Sequence, residues 1–341
     1  MFKTTKRYLV TGGCGFIGSA VVRRLLRLPK TEVINLDKLT YSASLKSLLD
    51  FNKNPRHHHI KVDLADLDAV RKALDTHRPD IIIHLAAESH VDKSIQQPDP
   101  FIQSNIIGTY NLLMASLELW QKHIPHLRLH HVSTDEVFGS LTDHGLFSEA
   151  SPYAPNSPYS ASKAAADHLV RAWHKTYGLP VTISQCSNNY GPYQHHEKLI
   201  PTVIRSCLEK KPIPVYGNGT NIRDWLYVDD HVDALLAILE KSSLGESYMI
   251  GGECEIRNRD LVHHICTVMD QHYPCGFSYH SLITFVQDRP GHDYRYGMDI
   301  SKIQHDLNWR PTTFFDDGLA KTIRWHVQDY YATHQPQQVA Q

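Results

Sequence analysis

Short apolar runs alternate with amphipathic stretches along the first half of the chain. A short apolar run predicts a buried strand, and apolar residues spaced three and four apart predict a helix. The predicted strands lie at residues 7–11, 32–36, 60–63, 81–86, 127–133 and 181–186. The predicted helices run from the glycine-rich turn to about residue 28, and over residues 66–76, 101–120 and 159–177. Repeated strand–helix units of this kind predict an α/β fold with a doubly wound parallel sheet.

The pattern changes beyond residue 187. Loops become rich in glycine, proline and aromatic residues, and helices predicted at 198–210, 230–241, 259–272 and 316–330 alternate with short strands. We interpret residues 1–187 as a sheet domain, with part of 222–252 added to it. Residues 188–330 are then a smaller, interleaved lobe that binds substrate, and residues 331–341 are a polar tail.

A glycine-rich turn joins the first predicted strand to the first helix. It contains Gly12, Gly15 and Gly18, and Asp37 follows at the end of the second strand. Such glycines permit a tight turn and a close approach of the backbone to a pyrophosphate at the helix N-terminus. A carboxylate after the second strand bonds a ribose 2′-hydroxyl and repels a 2′-phosphate. The combination predicts a Rossmann domain that binds NAD rather than NADP, although a glycine triplet alone also fits a structural turn.

Tyr159 and Lys163 stand four residues apart on a predicted helix, so their side chains are neighbours on one face. Ser157 and Pro158 precede them as the predicted N-cap and first-turn proline. A free tyrosine ionises near pH ~10, so a base that works near neutrality needs a shift worth about 4 kcal/mol. One unit charge at about 4 Å supplies roughly that amount at an effective dielectric of 20. We therefore predict that Lys163 makes Tyr159 a base for a hydroxyl that loses hydride; the alternative is an ordinary surface helix.

Two adjacent carboxyls follow the strand predicted at 127–133. They belong to Asp135 and Glu136, directly after Thr134. Two carboxyls in different environments can divide the roles of acid and base. From the residues alone, a solvated helix start capped by Thr134 explains them equally well.

Composition excludes several classes of protein. The 341 residues carry a net charge of −1, which gives no electrostatic footprint for nucleic acid or an anionic membrane. No apolar run approaches the ~20 residues that a membrane helix needs. The N-terminus enters a strand without a signal-peptide core, so we expect a soluble cytoplasmic protein.

Cysteines and histidines do not form a metal-binding pattern. The six cysteines are scattered and are interpreted as reduced thiols. The 24 histidines include several clusters, but none has the spacing of a metal site. We therefore expect no metal cofactor.

Eight motifs together resemble the dTDP-glucose 4,6-dehydratases of the extended short-chain dehydrogenase/reductase family. They are TGGCGFIG (11–18), LAAESHVD (85–92), STDEV (133–137), YSASK (159–163), CSNNYGPY (186–193), EKLIP (197–201), IRDWLYVD (222–229) and DRPGHD (288–293). The resemblance runs from about residue 6 to about residue 327. The glycine turn and Tyr-x-x-x-Lys are shared across the superfamily, whereas Thr-Asp-Glu after the strand marks the dehydratases.

The resemblance implies a three-stage reaction with NAD. Oxidation at carbon 4 of the hexose acidifies the carbon 5 hydrogen, water is eliminated across carbons 5 and 6, and hydride returns to carbon 6. It assigns Glu136 as the base and Asp135 as the acid of the elimination, beside Thr134, Tyr159 and Lys163. Acid–base assistance of this kind contributes typically ~10² to 10⁴ in rate per step.

The resemblance also implies binding residues and a homodimer through the helices that contain Phe101 and Tyr159. The implied NAD contacts, with those of the glycine turn, are Gly12, Gly15, Phe16, Ile17, Gly18, Asp37, Lys38, Leu39, Thr40, Asp63, Leu64, Leu85, Ala86, Ala87, Ser104, Tyr159, Lys163 and Asn189. The implied sugar-binding residues are Ser89, Thr134 and Asn188, and the implied contacts to the nucleotide diphosphate are Lys198, Leu199, Pro214, Val215, Tyr216, Arg223, Asn258, Arg289 and His292.

Three features depart from the family pattern. Gln194-His195-His196 replaces the usual His-Phe-Pro, Tyr294 replaces an arginine, and the loop between Glu136 and Tyr159 is short. We expect these departures near the nucleotide end or the entrance, where they bear on base selectivity and affinity.

Other functions remain open at this point. One alternative is a UDP-sugar 4,6-dehydratase, and another is a nucleotide-sugar 4-epimerase or decarboxylase on the same fold. An epimerase has no need of two carboxyls after the strand. An NAD-sensing or scaffold protein without activity has no reason to keep Asp135, Glu136, Tyr159 and Lys163 together.

Overall fold

The computed structural model describes residues 5–334. The last helix extends to His334, so residues 331–334 of the predicted polar tail are helical, and residues 335–341 of that tail lie outside the described range. Within the described range, no helix is long and apolar enough to span a membrane.

A seven-stranded parallel sheet forms the larger part of the molecule, with strand order β3-β2-β1-β4-β5-β6-β10. Three further strands pair in the order β11-β9-β7, and β12 pairs with β8. The strands are β1 Lys6–Thr11, β2 Thr31–Asp37, β3 His57–Lys61, β4 Ile81–His84, β5 Arg128–Thr134, β6 Val181–Cys186, β7 Asn188–Tyr190, β8 Ile213–Tyr216, β9 Ile222–Tyr227, β10 Ser247–Ile250, β11 Glu255–Arg257 and β12 Ile283–Val286. The prediction of a doubly wound parallel α/β fold is confirmed.

Helices cover both faces of this sheet and build the smaller lobe. They are α1 Phe16–Arg27, α2 Leu67–His77, α3 Val91–Gln96, α4 Asp99–Phe101, α5 Gly108–Lys122, α6 Pro158–Tyr177, α7 Leu199–Glu209, α8 Val228–Lys241, α9 Asn258–His272, α10 Ser301–Leu307 and α11 Phe315–His334. Short 3₁₀ turns occur at Leu45–Phe51, Asp135–Phe138 and Tyr279–Leu282.

Alternate side chains of the central strands enter opposite apolar cores, as the two-residue period of a strand requires. Leu9 and Ile82 lie in one core, and their neighbours Val10 and Ile83 lie in the other. Both faces of the sheet are therefore buried, which explains why these strands are continuously apolar in sequence. A third core, which includes Ile265, holds α7, α9 and α11 together in the smaller lobe.

Local signals fix the start of the helix that carries Tyr159. Ser157 is the N-cap of α6, its hydroxyl accepts from Ser160 N, and Ser160 bonds back to the Ser157 backbone. Pro158 occupies the first turn. The predicted N-cap and first-turn proline are confirmed, and they orient Tyr159 toward the edge of the sheet.

Two predicted elements differ from the structure. The strand predicted at 60–63 is β3, His57–Lys61, because β3 is an edge strand whose histidine-rich face is only partly buried. The helix predicted at 101–120 is divided into α4, a π-helical turn at Ile102–Ile107, and α5. The π turn keeps the apolar period of a helix, so the sequence pattern does not reveal it.

Candidate active site

A cavity of about 490 Å³ lies at the carboxyl ends of the parallel strands, between the sheet and the smaller lobe. This edge of an open α/β sheet is where ligands bind. Every predicted site residue except Leu39 lines the cavity. Leu39 has a positive φ of 60°, packs against the core, and donates its backbone N–H to Asp37 at 2.8 Å. The side chain of Leu39 therefore does not line the cavity, where the predicted NAD contact would be made.

The glycine turn brings the start of α1 against the end of β1. Gly12 has φ +70°, and a Cβ there would lie 2.8 Å from the Ala86 backbone. A Cβ at Gly18 would collide with the Gly12 carbonyl oxygen. The turn therefore excludes side chains at both positions, and the uncapped N-terminus of α1 faces the cavity.

Asp37 is buried and holds the next loop against this turn. Its carboxylate accepts from the backbone N–H groups of Cys14 at 2.9 Å and Leu39 at 2.8 Å. Each carboxylate oxygen has a second lone pair, so the side chain still has acceptor capacity toward the cavity. Nearby, Lys38 Nζ lies 3.7 Å from the Glu88 carboxylate.

Asp135 and Glu136 begin the 3₁₀ turn that follows β5. The Thr134 hydroxyl caps this turn by accepting from Glu136 N at 3.3 Å, and it also lies 3.1 Å from Asp135 Oδ1. Asp135 is only 2% exposed, and its Oδ2 has no hydrogen-bond partner within the described residues. The capped helix start therefore exists, but it is enclosed rather than solvated.

The two carboxyls have different electrostatic surroundings. Burial, reinforced by the charge of Glu136, raises the pKa of Asp135 well above its ordinary value. Burial also raises the pKa of Glu136, but Arg289, Lys198 and Arg223 act against that rise. Asp135 is thus the better proton donor, and Glu136 is the carboxyl that positive charge helps to ionise.

Tyr159 and Lys163 both reach the cavity, but their relation differs from the prediction. Burial, followed by the charge of Glu136, raises the pKa of Tyr159 well above its ordinary value, and a hydrogen bond with Thr134 lowers it. Lys163 Nζ donates to the Val132 carbonyl at 2.8 Å. The expected lowering of the Tyr159 pKa by Lys163 is wrong for the protein by itself, because burial of the phenol, reinforced by Glu136, raises that pKa.

The opposite end of the cavity carries the predicted nucleotide contacts. Lys198 Nζ donates to the Ser89 carbonyl at 2.7 Å. Arg223 donates to the carbonyls of Ile222, Asp293 and Tyr294, so much of its guanidinium is already engaged. Arg289 has one long contact of 3.4 Å to Asp92, and its Nε–H has no partner within the described residues. Arg289 is therefore freer than Arg223 to bind an anion.

The departures from the family pattern lie at different depths. Tyr294 is outside the cavity wall, where its hydroxyl donates to Asp143 at 2.7 Å. Gln194 and His195 line the cavity, and Gln194 Nε2 donates to the Asn189 carbonyl at 2.7 Å. Only the Gln194–His195 departure is therefore placed to touch a ligand directly.

Some residues in and behind the cavity wall were not predicted. Tyr296 is buried in the wall, its ring lies 4.2 Å from the Arg223 guanidinium, and its hydroxyl donates to Asp293 at 2.6 Å. Asn105, on the π turn, donates from Nδ2 to the Glu88 carbonyl at 3.0 Å and to Ser162 Oγ at 2.8 Å. A polar residue inside an otherwise apolar helix pattern was the available signal for Asn105; Tyr296 carried no such signal.

The cysteines and titratable groups do not suggest other chemistry. All six cysteines are free thiols. Across residues 5–334, no group of three or more His, Cys, Asp or Glu side chains is placed to hold a metal ion.

The chain is similar in sequence to curated proteins over nearly its whole length. A protein of Sinorhizobium fredii named probable dTDP-glucose 4,6-dehydratase is 51% identical over 327 residues, covering 95% of this chain and 93% of that protein. The dTDP-glucose 4,6-dehydratase 1 of Escherichia coli K12 is 48% identical over 336 residues, covering 95% of this chain and 93% of that protein.

Solved structures are similar to this chain over nearly its whole length. The dTDP-glucose 4,6-dehydratase DesIV from Streptomyces venezuelae, with NAD and TYD bound, superimposes with a TM-score of 0.89 at 42% identity, covering 97% of this chain and 99% of that chain. The UDP-glucuronic acid 4-epimerase of Bacillus cereus, in complex with UDP-glucuronic acid and NAD, has a TM-score of 0.84 at 29% identity, covering 95% of this chain and 100% of that chain. A family model described as GDP-mannose 4,6 dehydratase matches residues 9–322, and the chain therefore belongs to the GDP-mannose 4,6 dehydratase family.

Proposed function

We propose that this chain is an NAD-dependent lyase that dehydrates dTDP-glucose to dTDP-4-keto-6-deoxyglucose. The observation that carries the proposal is the placement of Asp135 and Glu136 in one cavity with Tyr159 and Lys163. An oxidation at carbon 4 needs only the second pair, whereas an elimination also needs an acid and a base.

The residues of the sheet edge fit NAD. The side-chain-free turn at Gly12 and Gly18 leaves room for a pyrophosphate at the N-terminus of α1, and Asp37 has acceptor capacity for a ribose hydroxyl. NAD, when bound, supplies the hydride chemistry at carbons 4 and 6. NAD bound in the DesIV structure supports the same cofactor here.

In the first step Tyr159 accepts the proton of the carbon 4 hydroxyl. The helix N-terminus and the positive charge of Lys163 favour the phenolate. They must overcome the desolvation that raises the Tyr159 pKa in the protein alone. The Thr134 hydroxyl helps, because its hydrogen bond lowers the pKa of Tyr159.

In the second step the two carboxyls act on the 4-keto sugar. Glu136 removes the acidified proton of carbon 5, since the cations around it favour its ionised form. Asp135, whose raised pKa favours its protonated form, donates a proton to the departing carbon 6 hydroxyl. The different surroundings of the two carboxyls support this assignment of base and acid.

Binding of the nucleotide diphosphate is assigned to the other end of the cavity. Arg289 offers an unpaired Nε–H, and a guanidinium can bind phosphate oxygens in a bidentate manner. Lys198 adds a second positive charge close to Glu136. The same side chains would therefore bind the diphosphate and tune the base.

The test is to incubate the protein separately with dTDP-glucose and UDP-glucose and to measure the product by mass spectrometry. Loss of one water from dTDP-glucose is the expected result. Turnover of UDP-glucose alone would reassign the chain as a UDP-sugar 4,6-dehydratase. No dehydrated product from either substrate would overturn the proposal.

We further propose a cytoplasmic homodimer that supplies deoxysugar or rhamnose synthesis. Apolar side chains on the π turn and α5, which are Ile102, Ile107 and Tyr110, are 37% to 41% exposed, as is suitable for a helix pair with a second copy. Light scattering at several protein concentrations tests the dimer, and Ile107→Glu is expected to produce monomers.

A further inference from the structure

Asp167 is a buried carboxyl that the proposed mechanism does not use. It lies on α6, four residues beyond Lys163, so the two side chains share one face of the helix. The side chain of Asp167 is 0% exposed. An ionised carboxyl at such a depth is costly unless it is paired and hydrogen-bonded.

Three side chains from other segments bind this carboxyl. His131 Nε2 on β5 lies 3.0 Å from Oδ1, and the Tyr153 hydroxyl donates to Oδ2 at 2.9 Å. Gln185 Nε2 on β6 donates to the same oxygen at 3.3 Å. Burial alone would raise the pKa of Asp167, but His131 and Lys163 outweigh it and hold the pKa below its ordinary value. Asp167 is therefore ionised.

Lys163 is a buried cation, and it also needs a nearby group of opposite charge. Lys163 is only 5% exposed, and its ammonium donates one hydrogen bond within the described residues, to the Val132 carbonyl. Burial lowers its pKa, and Asp167 is the main group that raises it again. Without a nearby negative charge, a lysine at this depth would lose its proton.

The other titratable groups that face the pair do not supply a negative charge. Burial lowers the pKa values of His84 on β4 and His131 on β5, and an imidazole is either neutral or positively charged. Burial raises the pKa of the Cys186 thiol on β6 to about 12, and it raises the pKa of Tyr153 as well. The guanidinium of Arg171 lies over the Tyr153 ring, 5.2 Å from its centre, and is positively charged.

We propose that Asp167 is a positioning residue: it is the counter-charge that keeps Lys163 protonated beside Tyr159, and it thereby sets the upper pH limit of the oxidation. This role rests on the proposed function, since it acts through the lysine of the reaction. His131, Tyr153 and Gln185 hold the carboxylate in its ionised form.

The first test is the pH profile of Asp167→Asn with dTDP-glucose. Asparagine keeps the shape of the side chain and removes its charge, so Lys163 should lose its proton at a lower pH. We expect the alkaline limb of kcat to move down by roughly one to two pH units, with KM unchanged. An alkaline limb at the wild-type position would overturn the proposal.

Tyr153→Phe is the matched control. It removes one hydrogen bond to the same carboxylate but leaves the charge in place. The alkaline limb should stay within about 0.3 pH unit of the wild type, which is less than 0.5 kcal/mol by the usual conversion. An equal shift in both variants would mean that the network acts only as packing and hydrogen bonding.

The second test does not depend on turnover. The thermal midpoint of the NAD-saturated protein is measured for Asp167→Asn, Lys163→Met and the double variant. A counter-charge predicts that Asp167→Asn lowers the midpoint in the wild type and lowers it by less than half as much, or raises it, in Lys163→Met. An equal loss in both backgrounds would contradict the charge pair.

Solubility of the variants is also informative. If Asp167→Asn is insoluble, a soluble double variant supports the charge pair, and an insoluble double variant overturns it. If the wild type does not turn over dTDP-glucose, the proposed function fails, while the thermal cycle still decides the pairing of Asp167 with Lys163.

Discussion

The two ends of the cavity are built differently. The reaction end, defined by Thr134, Asp135, Glu136, Tyr159 and Lys163, is formed by the end of β5, the turn after it, and the first turns of α6. The nucleotide end, defined by Asp92, Lys198, Tyr216, Arg289 and His292, is assembled from separate loops and element ends. Regular structure therefore positions the chemistry, and loops position the binding.

Their polar contacts differ as well, although burial is the largest cause of every resolved pKa shift at both ends. At the nucleotide end, polar side chains pair with each other: the Tyr216 hydroxyl donates to Asp92 at 3.1 Å, and His292 Nδ1 lies 2.6 Å from Asp288 in the same loop. Substitutions at the reaction end should change rate, whereas those at the nucleotide end should change affinity.

Glu136→Gln should have the largest effect. The glutamine cannot remove the carbon 5 proton, so product formation should fall by roughly 10² to 10⁴. Carbon 4 oxidation should persist, seen as a transient NADH absorbance, but carbon 5 hydrogen should not exchange with solvent. Normal exchange in this variant would place the base elsewhere, and Asp135→Asn, which keeps Glu136, is the matched control for exchange.

Tyr159→Phe should slow the first hydride step by about 10² or more, since it removes the proton acceptor. Stopped-flow measurement of NADH formation with dTDP-glucose isolates that step. KM should change by less than about threefold, because the phenyl ring keeps the packing against Phe101. An unchanged hydride step would remove Tyr159 from the mechanism.

Arg289→Lys should act on binding. Lysine keeps the charge but loses the forked donors, so KM for dTDP-glucose should rise by about tenfold with kcat nearly unchanged. Steady-state kinetics measure both values. Arg257→Lys, on the exposed surface beyond the cavity wall, is the control and should leave KM unchanged. A fall in kcat alone would contradict the division between the two ends.

Asp135→Asn should change stability with pH. The folded-state pKa of Asp135 is raised, so the unfolded chain binds fewer protons above the ordinary value of 3.8, and stability falls as pH rises from there toward the folded pKa. Asparagine does not titrate, so the variant does not lose stability in this way as pH rises. The variant should gain a few degrees in thermal midpoint at pH 8 and less at pH 5, and a gain independent of pH would contradict the assignment.

The cavity residues that the sequence predicted differ from those that it missed for a physical reason. Thr134 ends β5, Asp135 follows it, and Tyr159 lies in the first turn of the capped helix α6; the apolar pattern fixes these elements to within a residue or two. Asp92 lies in the short helix α3, Tyr296 in a loop and Asn105 in the π turn, and none of these segments leaves a clear period in the sequence. The displaced β3 has the same cause, since partly exposed histidines replace the apolar residues of an inner strand.

Charges were harder to predict than positions. The sequence places Lys163 one turn from Tyr159, and the structure agrees. The direction of the Tyr159 pKa depends on how deeply the phenol is buried and on Glu136, which no local pattern encodes. The role of Asp167 as a counter-charge could not be predicted for the same reason, because the partners of its carboxylate come from β5, β6 and a loop.

Strand β10 completes the central sheet, and it is synthesised long after the strand with which it pairs. It pairs with β6, yet α7, α8 and the strands β7, β8 and β9 lie between the two in sequence. During translation β6 leaves the ribosome well before Ser247–Ile250, and until then its outer edge has unpaired N–H and C=O groups. The nascent chain therefore depends on later synthesis to complete its own sheet.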